Sequence, residues 1–431
     1  MDSSPMVPTT LRVVMVTPTY LPESFGGAEQ QCRKLCRALG DSGLDVTIIA
    51  PRLKAATRKR ETHGLTRIER LRVRHAPNLG GRHILSFLGW SAKLTWWLVT
   101  RRNHYDVIHV VHGRLHAVPA AVAGYVLGKP IVVKLGRGGS HFDLKIVREK
   151  RLVGWLFWHA VNRLPTLFIA NSREIASDLQ ADGVQDFRIC MLPNGVEIPP
   201  TALRLRDREF GQREVRFLYM GRLDPEKALD RMIAGFAKVG AGARARLTLV
   251  GDGVCRDQLQ RQVRELRLGD SVDILPPVAD VGPLLRDTDF HVSTSLSEGM
   301  SNALLESMSF GTPAIVSRVS GVEDIVTPSS GLVFEPGDDD GFVTALRRAM
   351  TMTAGEWKAM SDAALETVGR RFSIEGVAER HVAIYQSLLG RQAATQRVEA
   401  AASANNRAWG SAQADTRRAE AAASAEVTPQ P

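Results

Sequence analysis

Two carboxylates eight residues apart, Glu298 and Glu306, occupy the stretch Ser297–Phe310 (SEGMSNALLESMSF), which is closed by Gly311-Thr312-Pro313. Glu298 falls in a turn just before a helix and Glu306 inside that helix. Between them, Gly299 lets the backbone approach a ligand closely, and the first-turn amides near Ser301 and Asn302 have no partner within the helix. Such a helix start favours a phosphate, and a carboxylate on either side of it can accept hydrogen bonds from hydroxyl groups. A diphosphate flanked by sugars at both ends is the ligand this spacing suits.

A matching pair of cations stands earlier in the chain. Gly221-Arg222-Leu223-Asp224-Pro225-Glu226-Lys227 follows the apolar run VRFLYM (Val215–Met220). In open α/β sheets ligands bind beyond the carboxyl ends of strands, so these residues stand where binding residues belong. Arg222 offers a planar fork that matches phosphate oxygens, and Lys227 a mobile point charge. Five residues apart across a turn, the two can neutralise one diphosphate.

The elements that must hold these groups follow from apolar runs alternating with helix-length segments. RVVMVTP (Arg12–Pro18), DVTIIA (Asp45–Ala50), DVIHV (Asp106–Val110), IVVKL (Ile131–Leu135) and TLFIA (Thr166–Ala170) fill the first half; a helix pattern runs from Ala28 to about Leu39. The series pauses at Leu192-Pro193-Asn194-Gly195 and a Pro-rich, charged segment. It restarts with VRFLYM, LTLV (Leu247–Val250), VDIL (Val272–Leu275), FHVST (Phe290–Thr294) and AIVS (Ala314–Ser317). Continuous apolar strands separated by helices mean parallel sheets covered on both faces. At 431 residues, two such α/β domains are expected. The basic stretch Arg52–Arg74 interrupts the alternation and reads as an insertion with irregular strands. The expected boundaries are 1–195 for an N-terminal Rossmann-like domain, 196–214 for a linker and 215–372 for a C-terminal Rossmann-like domain, which the resemblance drawn below makes the acceptor-side and the donor-binding domain respectively. A C-terminal helix at 373–391 and an Ala-rich disordered tail at 392–431 complete the chain, the tail having too few large apolar residues to fold alone.

The formal charge of +10 is uneven: residues 1–195 carry a net +14 and the remainder a net −4. A basic N-terminal half points to an anionic partner: a lipid surface, a lipid-linked phosphate or nucleic acid. Trp90, Trp96, Trp97, Trp155 and Trp158 fall in helix-like segments of that half beside Arg101-Arg102 and Arg148–Arg151, a composition suited to core packing or to a monotopic membrane face. Ile84–Thr100, 17 residues interrupted by Lys93, is marginal for spanning a bilayer and reads as an amphipathic or buried helix. No signal peptide is expected from Met1–Thr10, which is polar. The four cysteines form no framework, and Cys32 and Cys36, one helical turn apart, read as buried thiols in a reducing, cytoplasmic compartment.

With these residues in view the chain resembles the retaining glycosyltransferases of family 4, which have the GT-B fold: two doubly wound Rossmann-like α/β domains facing across a cleft. The resemblance rests on Gly221-Arg222-Leu223 with Glu226-Lys227, on Gly251-Asp252-Gly253, and on Glu298-Gly299-x-x-Asn302-x-x-x-Glu306. Gly26-Gly27-Ala28-Glu29, Asn171-Ser172 and Pro193-Asn194-Gly195-Val196 add to it, so that it covers about Val13 to Ser387. It implies that Arg222 and Lys227 hold the diphosphate, Glu306 contacts the ribose and Glu298 the transferred sugar. Backbone amides at Gly299, Met300 and Ser301 complete the cradle with Asn302 at the helix start, Asp252 and Gly253 edge the nucleobase pocket, and Gly26 and Gly27 approach the donor. Glu298, Arg222 and Lys227 are the expected catalytic groups. No metal and no cofactor beyond the nucleotide-sugar co-substrate is implied, because cations and a helix start do a metal's work on the leaving diphosphate.

One place departs from the family pattern. A His-Gly usually follows the fourth strand, whereas here the chain reads Lys134-Leu135-Gly136-Arg137-Gly138-Gly139-Ser140-His141. Lys134, Arg137, Gly138 and His141 are therefore the candidates for the acceptor or sugar side. The string His109, His112, His116 invites a zinc reading, but His109 ends a strand and Gly113 breaks the segment, so the three do not share one helix face.

The expectation is a cytoplasmic glycosyltransferase, peripheral on the inner face of the membrane, moving a sugar from a nucleotide diphosphate to a glycan or lipid-linked hydroxyl. An epimerase or phosphorylase of the same fold is the nearest alternative. A nucleic-acid-binding protein using the basic half is the remote one; no binding module supports nucleic acid as a partner.

Overall fold

A computed structural model describes residues 10–390 except 25, 76–83, 137–160, 163, 165, 201–209, 211–213 and 241–243. The chain divides into two compact units. Of the described residues, one takes those up to Gly195 together with Ile374–Gly390, and the other those of Val196–Ser373.

The first unit is built on a sheet of eight strands: β1 (Arg12–Val16), β2 (Asp45–Arg52), β3 (Arg60–His63), β4 (Thr66–Arg72), β5 (Val107–Val111), β6 (Ile131–Lys134), β7 (Thr166–Ala170) and β8 (Ile189–Met191). Their spatial order is β3-β4-β2-β1-β5-β6-β7-β8, with every neighbour parallel except the β3/β4 hairpin. Val13 of β1 sits opposite Val46 on one side and Val107 on the other, so the central strand is apolar along almost its whole length because both of its faces are covered. The basic stretch Arg52–Arg74 holds more order than its composition suggests. It closes a hairpin and lends β4 to the main sheet, and Arg70 is buried there by hydrogen bonds to Glu61 and the Leu21 carbonyl, both at 2.5 Å.

Helix α1 (Gly27–Asp41) buries Cys32, Leu35, Cys36 and Leu39, the i, i+3, i+4, i+7 stripe expected of a sheet-covering helix. That stripe packs with the C-terminal helix Ile374–Gly390, whose Val377, Ala378 and Tyr385 complete the same apolar cluster. The Cys32 and Cys36 sulfurs are 3.9 Å apart, buried and unbridged. Two further helices, α2 (Ile84–Thr100) and α3 (Ala117–Val126), pack against each other. Right-handed crossovers from β4 to β5 and from β5 to β6 run opposite in direction to the β1–β2 crossover, which sets both helices on the face away from α1.

The second unit repeats the plan with six parallel strands: β9 (Val215–Met220), β10 (Ala245–Val250), β11 (Val272–Leu275), β12 (Phe290–Ser293), β13 (Ala314–Ser317) and β14 (Gly331–Phe334), ordered β11-β10-β9-β12-β13-β14. β9 lies between β10 and β12, so the connections reverse direction at β9/β12. That reversal opens a crevice beyond the carboxyl ends of those two strands. Strands β8 and β14 are not among the apolar runs of the sequence analysis: β8 has only three residues, and β14 opens on Gly331, a residue disfavoured in strands.

Candidate active site

Gly221 to Lys227 leave the end of β9, and Thr294 to Glu298 leave the end of β12, so the two loops meet at the switch point of the second sheet. Hydrogen bonds lace them together. Thr294 Oγ1 donates to the carbonyls of Lys227 and Ala228 at 3.1 and 3.0 Å, and the Leu296 amide donates to the Glu226 carbonyl at 2.9 Å. Ser317, at the end of β13, ties in the far side through its 2.6 Å bond to the Ser295 carbonyl. The turn Pro225–Lys227 ends at Ala228 in the left-handed region, φ 48°, which turns the chain back into the helix Leu229–Gly240.

This lacing sets Lys227 against Glu298. Lys227 Nζ donates to Glu298 Oε1 at 2.5 Å, and Ser295 Oγ donates to the same oxygen at 3.1 Å. Lys227 is buried, so its ammonium is fixed in one place and not left to sweep the surface. Arg222 is more exposed and paired to two acids, Asp224 through one terminal nitrogen and Glu226 Oε1 through the other at 2.5 Å. Both cations predicted from the sequence are thus present in one loop, each held by carboxylates.

Glycine explains how the adjoining loop comes so close. A side chain on Gly251 would put its Cβ 1.8 Å from the Gly221 carbonyl oxygen, and one on Gly253 would lie 2.5 Å from the Leu223 oxygen. The loops after β9 and β10 therefore touch backbone to backbone, joined by the Leu223 amide to the Asp252 carbonyl at 2.8 Å. Asp252 turns its own Oδ1 to the Gly253 amide at 2.9 Å, a local turn that keeps the pair at the strand end.

Beyond Glu298 the helix Asn302–Ser309 starts as the sequence suggests, with one difference: Ser301 is the N-cap, and its hydroxyl accepts the Leu304 amide at 3.3 Å. One first-turn donor is therefore already used. Met300 is buried and Glu306 half-buried in the helix. Gly299 is pressed by a residue the sequence reading missed. Gly321 has φ 78°, and a Cβ there would stand 2.3 Å from the Gly299 oxygen. Its signal was available, a glycine in the loop after β13 at another strand end.

The remaining candidates lie in the first unit. Gly26 caps α1 and its Cβ position is 2.4 Å from Glu29 Oε2; Gly27 opens the helix. Glu29 is buried at the head of α1, where Oε1 accepts from Thr19 Oγ1 at 2.5 Å and Ser24 Oγ at 2.7 Å, fixing the loop after β1. Lys134, expected to add charge at a ligand loop, is buried at the end of β6. Burial brings its ammonium down to about 8, and Nζ has no hydrogen-bond partner among the described residues. Arg137, Gly138 and His141 lie outside the described residues, as do Trp155 and Trp158. His109 and His116 serve the interior separately: Nδ1 of His109 is 2.6 Å from the Tyr385 hydroxyl, and Nε2 of His116 is 2.8 Å from the Val111 carbonyl. His112 has φ 70° and lies under Gly136, whose Cβ position is 2.8 Å from its ring. Among the described residues no three His, Cys, Asp or Glu side chains could hold one metal ion.

Comparison with known proteins gives the family and the fold. Residues 25–198 match the family described as Glycosyltransferase Family 4, and residues 214–352 match Glycosyl transferases group 1. An Escherichia coli UDP-Gal:alpha-D-GlcNAc-diphosphoundecaprenol alpha-1,3-galactosyltransferase is 25% identical over 280 residues, 62% of this chain and 72% of that protein. The N-acetyl-alpha-D-glucosaminyl L-malate synthase of Bacillus anthracis is 24% identical over 68% of this chain and 77% of its own. Among solved structures, Anabaena HepE in complex with UDP superposes with a TM-score of 0.69 at 20% identity, covering 88% of this chain and all of that one. The fold is GT-B.

Proposed function

Since the chain belongs to the group 1, family 4 glycosyltransferases, we propose that it moves a sugar, with retention of anomeric configuration, from a nucleotide diphosphate sugar to a hydroxyl of a glycan or lipid-linked acceptor in cell-surface polysaccharide or glycolipid synthesis. The observation that carries this reading is the buried Lys227 held 2.5 Å from Glu298 beside the start of the helix Asn302–Ser309, with Arg222 in the same loop. Two cations and a helix start suit a departing diphosphate, whose charge grows as the sugar–oxygen bond breaks. Glu298, on the other side of Lys227, suits the hydroxyl groups of the transferred sugar, and Glu306 those of the ribose.

In this mechanism the bond between the anomeric carbon and the phosphate oxygen breaks while the acceptor oxygen bonds to the same carbon. The acceptor proton passes to the departing phosphate, so no side-chain base is required. HepE, whose structures hold UDP and UDP-glucose, and the E. coli enzyme named for UDP-Gal and a diphosphoundecaprenol-linked acceptor support a nucleotide sugar donor and a lipid-linked acceptor. Such an acceptor would bring the enzyme to the inner face of a membrane as a peripheral protein. No described helix is long and apolar enough to cross one.

A thermal-shift screen across nucleotide diphosphate sugars tests the donor class, since a bound donor stabilises the native state. The stabilising donor is then incubated with and without candidate acceptors, and the new linkage is read by NMR. Epimerisation of the donor without acceptor, or an inverted product, would overturn the proposal.

A further inference from the structure

Helix α2 is apolar on both of its faces. Phe87, Trp90, Leu94 and Trp97 turn inward, with Trp90 edge-on to His116 and Trp97 stacked on Tyr105. The opposite face is apolar too: Leu85 is 80% exposed, Trp96 72%, and Leu88 stands between them. Leu85, Leu88, Ala92, Trp96 and Val99 follow the three-and-four spacing of one helical stripe, all exposed. The stripe is about 21 Å long at 1.5 Å per residue. Neighbouring α3 does the same with Val122, Tyr125 and Val126, the last 73% exposed. A surface helix of a water-soluble domain normally turns charged and polar residues outward. Here two helices that pack together turn apolar residues out, and an exposed apolar patch of this kind marks an interaction surface.

Charge narrows the partner. Neither helix contains an acidic residue. Lys93 is exposed on α2, and Arg102 and His104 are exposed in the turn that follows. Two acids close by are already engaged: Glu69 accepts from Trp97 Nε1 at 3.0 Å and from Arg101 at 2.6 Å, and Asp106 accepts from Arg12 at 2.7 Å. An isologous second copy would bring Lys93 and Arg102 toward their own equivalents. An anionic bilayer instead accepts the aliphatic stripe among its acyl chains, Trp96 and Tyr125 at headgroup level, and the cations against phosphate.

We propose that the outward faces of α2 and α3 form a docking surface for an anionic phospholipid bilayer, with α2 lying flat in the interface. This deepens the membrane part of the transferase reading and rests on it for the acceptor. The core-packing and membrane readings of the tryptophans then both hold, for different residues: Trp90 and Trp97 belong to the interior and Trp96 to the surface.

The full chain is floated with vesicles of phosphatidylcholine alone and of phosphatidylcholine with phosphatidylglycerol. Binding to the anionic vesicles is expected, reduced by about tenfold or more in Trp96→Asp and in Leu88→Asp, with unchanged melting temperature. No flotation, equal flotation with both vesicle types, or flotation unaffected by the substitutions would overturn the proposal. So would a dimer in sedimentation that Trp96→Asp dissociates, since a second copy would then cover the patch. Stabilisation by UDP or GDP is measured in parallel on the same chains. Flotation lost with nucleotide stabilisation kept sinks the docking surface alone, and the reverse sinks the transferase reading alone.

Discussion

Lys227 Nζ lies 2.5 Å from Glu298 Oε1, a contact between side chains 71 residues apart in sequence. Parallel strands β9 and β12 bring it about by ending side by side, and the Thr294 and Leu296 hydrogen bonds fix the register of the two loops. In the transferase proposed above, the pair would join the cation assigned to the leaving diphosphate to the acid assigned to the sugar.

Replacing Lys227 or Arg222 by Ala should lower turnover by about a hundredfold or more, the usual cost of losing one preorganised contact to developing charge. The fold should survive. Glu298 keeps its bond from Ser295, and its side chain remains 21% exposed, so no buried charge is stranded by Lys227→Ala. Steady-state kinetics beside thermal melts separates the two effects; near-normal turnover in both variants would remove the mechanism.

Substitutions of the acids in the same loop should act in the opposite direction. Asp224 and Glu226 occupy the Arg222 guanidinium that a diphosphate would need. The Arg222 side chain is 51% exposed, so these pairs contribute little to stability. Asp224→Asn and Glu226→Gln should leave melting unchanged while tightening nucleoside diphosphate binding by about two- to fivefold. Isothermal titration reads the change directly, and weaker binding would show that the acids organise the arginine and do not compete for it.

The two sheets, and the choice of Arg222, Lys227 and Glu298 as residues beyond strand ends, were legible in the sequence because each rests on local pattern: apolar runs at strand length, and motif residues where sheets bind ligands; the Lys227–Glu298 contact itself was not. What escaped depends on three-dimensional neighbours. Asp224 and Glu226 stood within the quoted motif, yet their pairing with Arg222 is a matter of side-chain direction. Lys134 lies within the apolar run Ile131–Leu135 and reads as charge at a ligand loop; its burial beside Cys32, His109 and His381 is decided by neighbours distant in sequence. The outward apolar stripe of α2 could not be told from its inward one, since a helix apolar all round has no moment to say which side meets the core.

Acid should destabilise both units from about pH 6.5 downward, a fall that begins above the range where most carboxylates titrate. Burial holds His109 down to about 3 and His291 to about 4, and lowers His381 as well, with the Lys134 charge adding to the effect on His109 and His381. With folded values below the ordinary 6.5, the unfolded chain binds the extra protons. Stability is therefore full above pH 6.5 and is lost as the pH falls toward 4. Each histidine adds a slope of up to about 1.4 kcal/mol per pH unit across that window. Urea midpoints from pH 7 to 4.5 should fall steadily. His291→Asn, which can keep the bond to Ser307 Oγ, now 3.0 Å from Nδ1, should flatten the fall in the second unit; midpoints level over the range would contradict the burial of neutral imidazoles.

Gly321 offers a test of how tightly the backbone beside Glu298 is set. Its φ of 78° belongs to the left-handed region, and a Cβ there would stand 2.3 Å from the Gly299 oxygen and 3.2 Å from the Met300 Cα. Alanine must therefore both accept strain and push the Gly299–Met300 peptide away from its place at the helix start. The strain should cost about 1–3 kcal/mol of stability. The displacement should weaken nucleoside diphosphate binding by about tenfold or more, because amides at a helix start act on phosphate only when held in position. Gly269→Ala is the control, an exposed glycine whose Cβ would meet nothing within 4 Å. It should leave binding unchanged and stability unchanged or slightly raised. If Gly321→Ala melts early yet binds the diphosphate normally, the loop after β13 supports the fold alone and the Gly299 backbone is not part of the cradle.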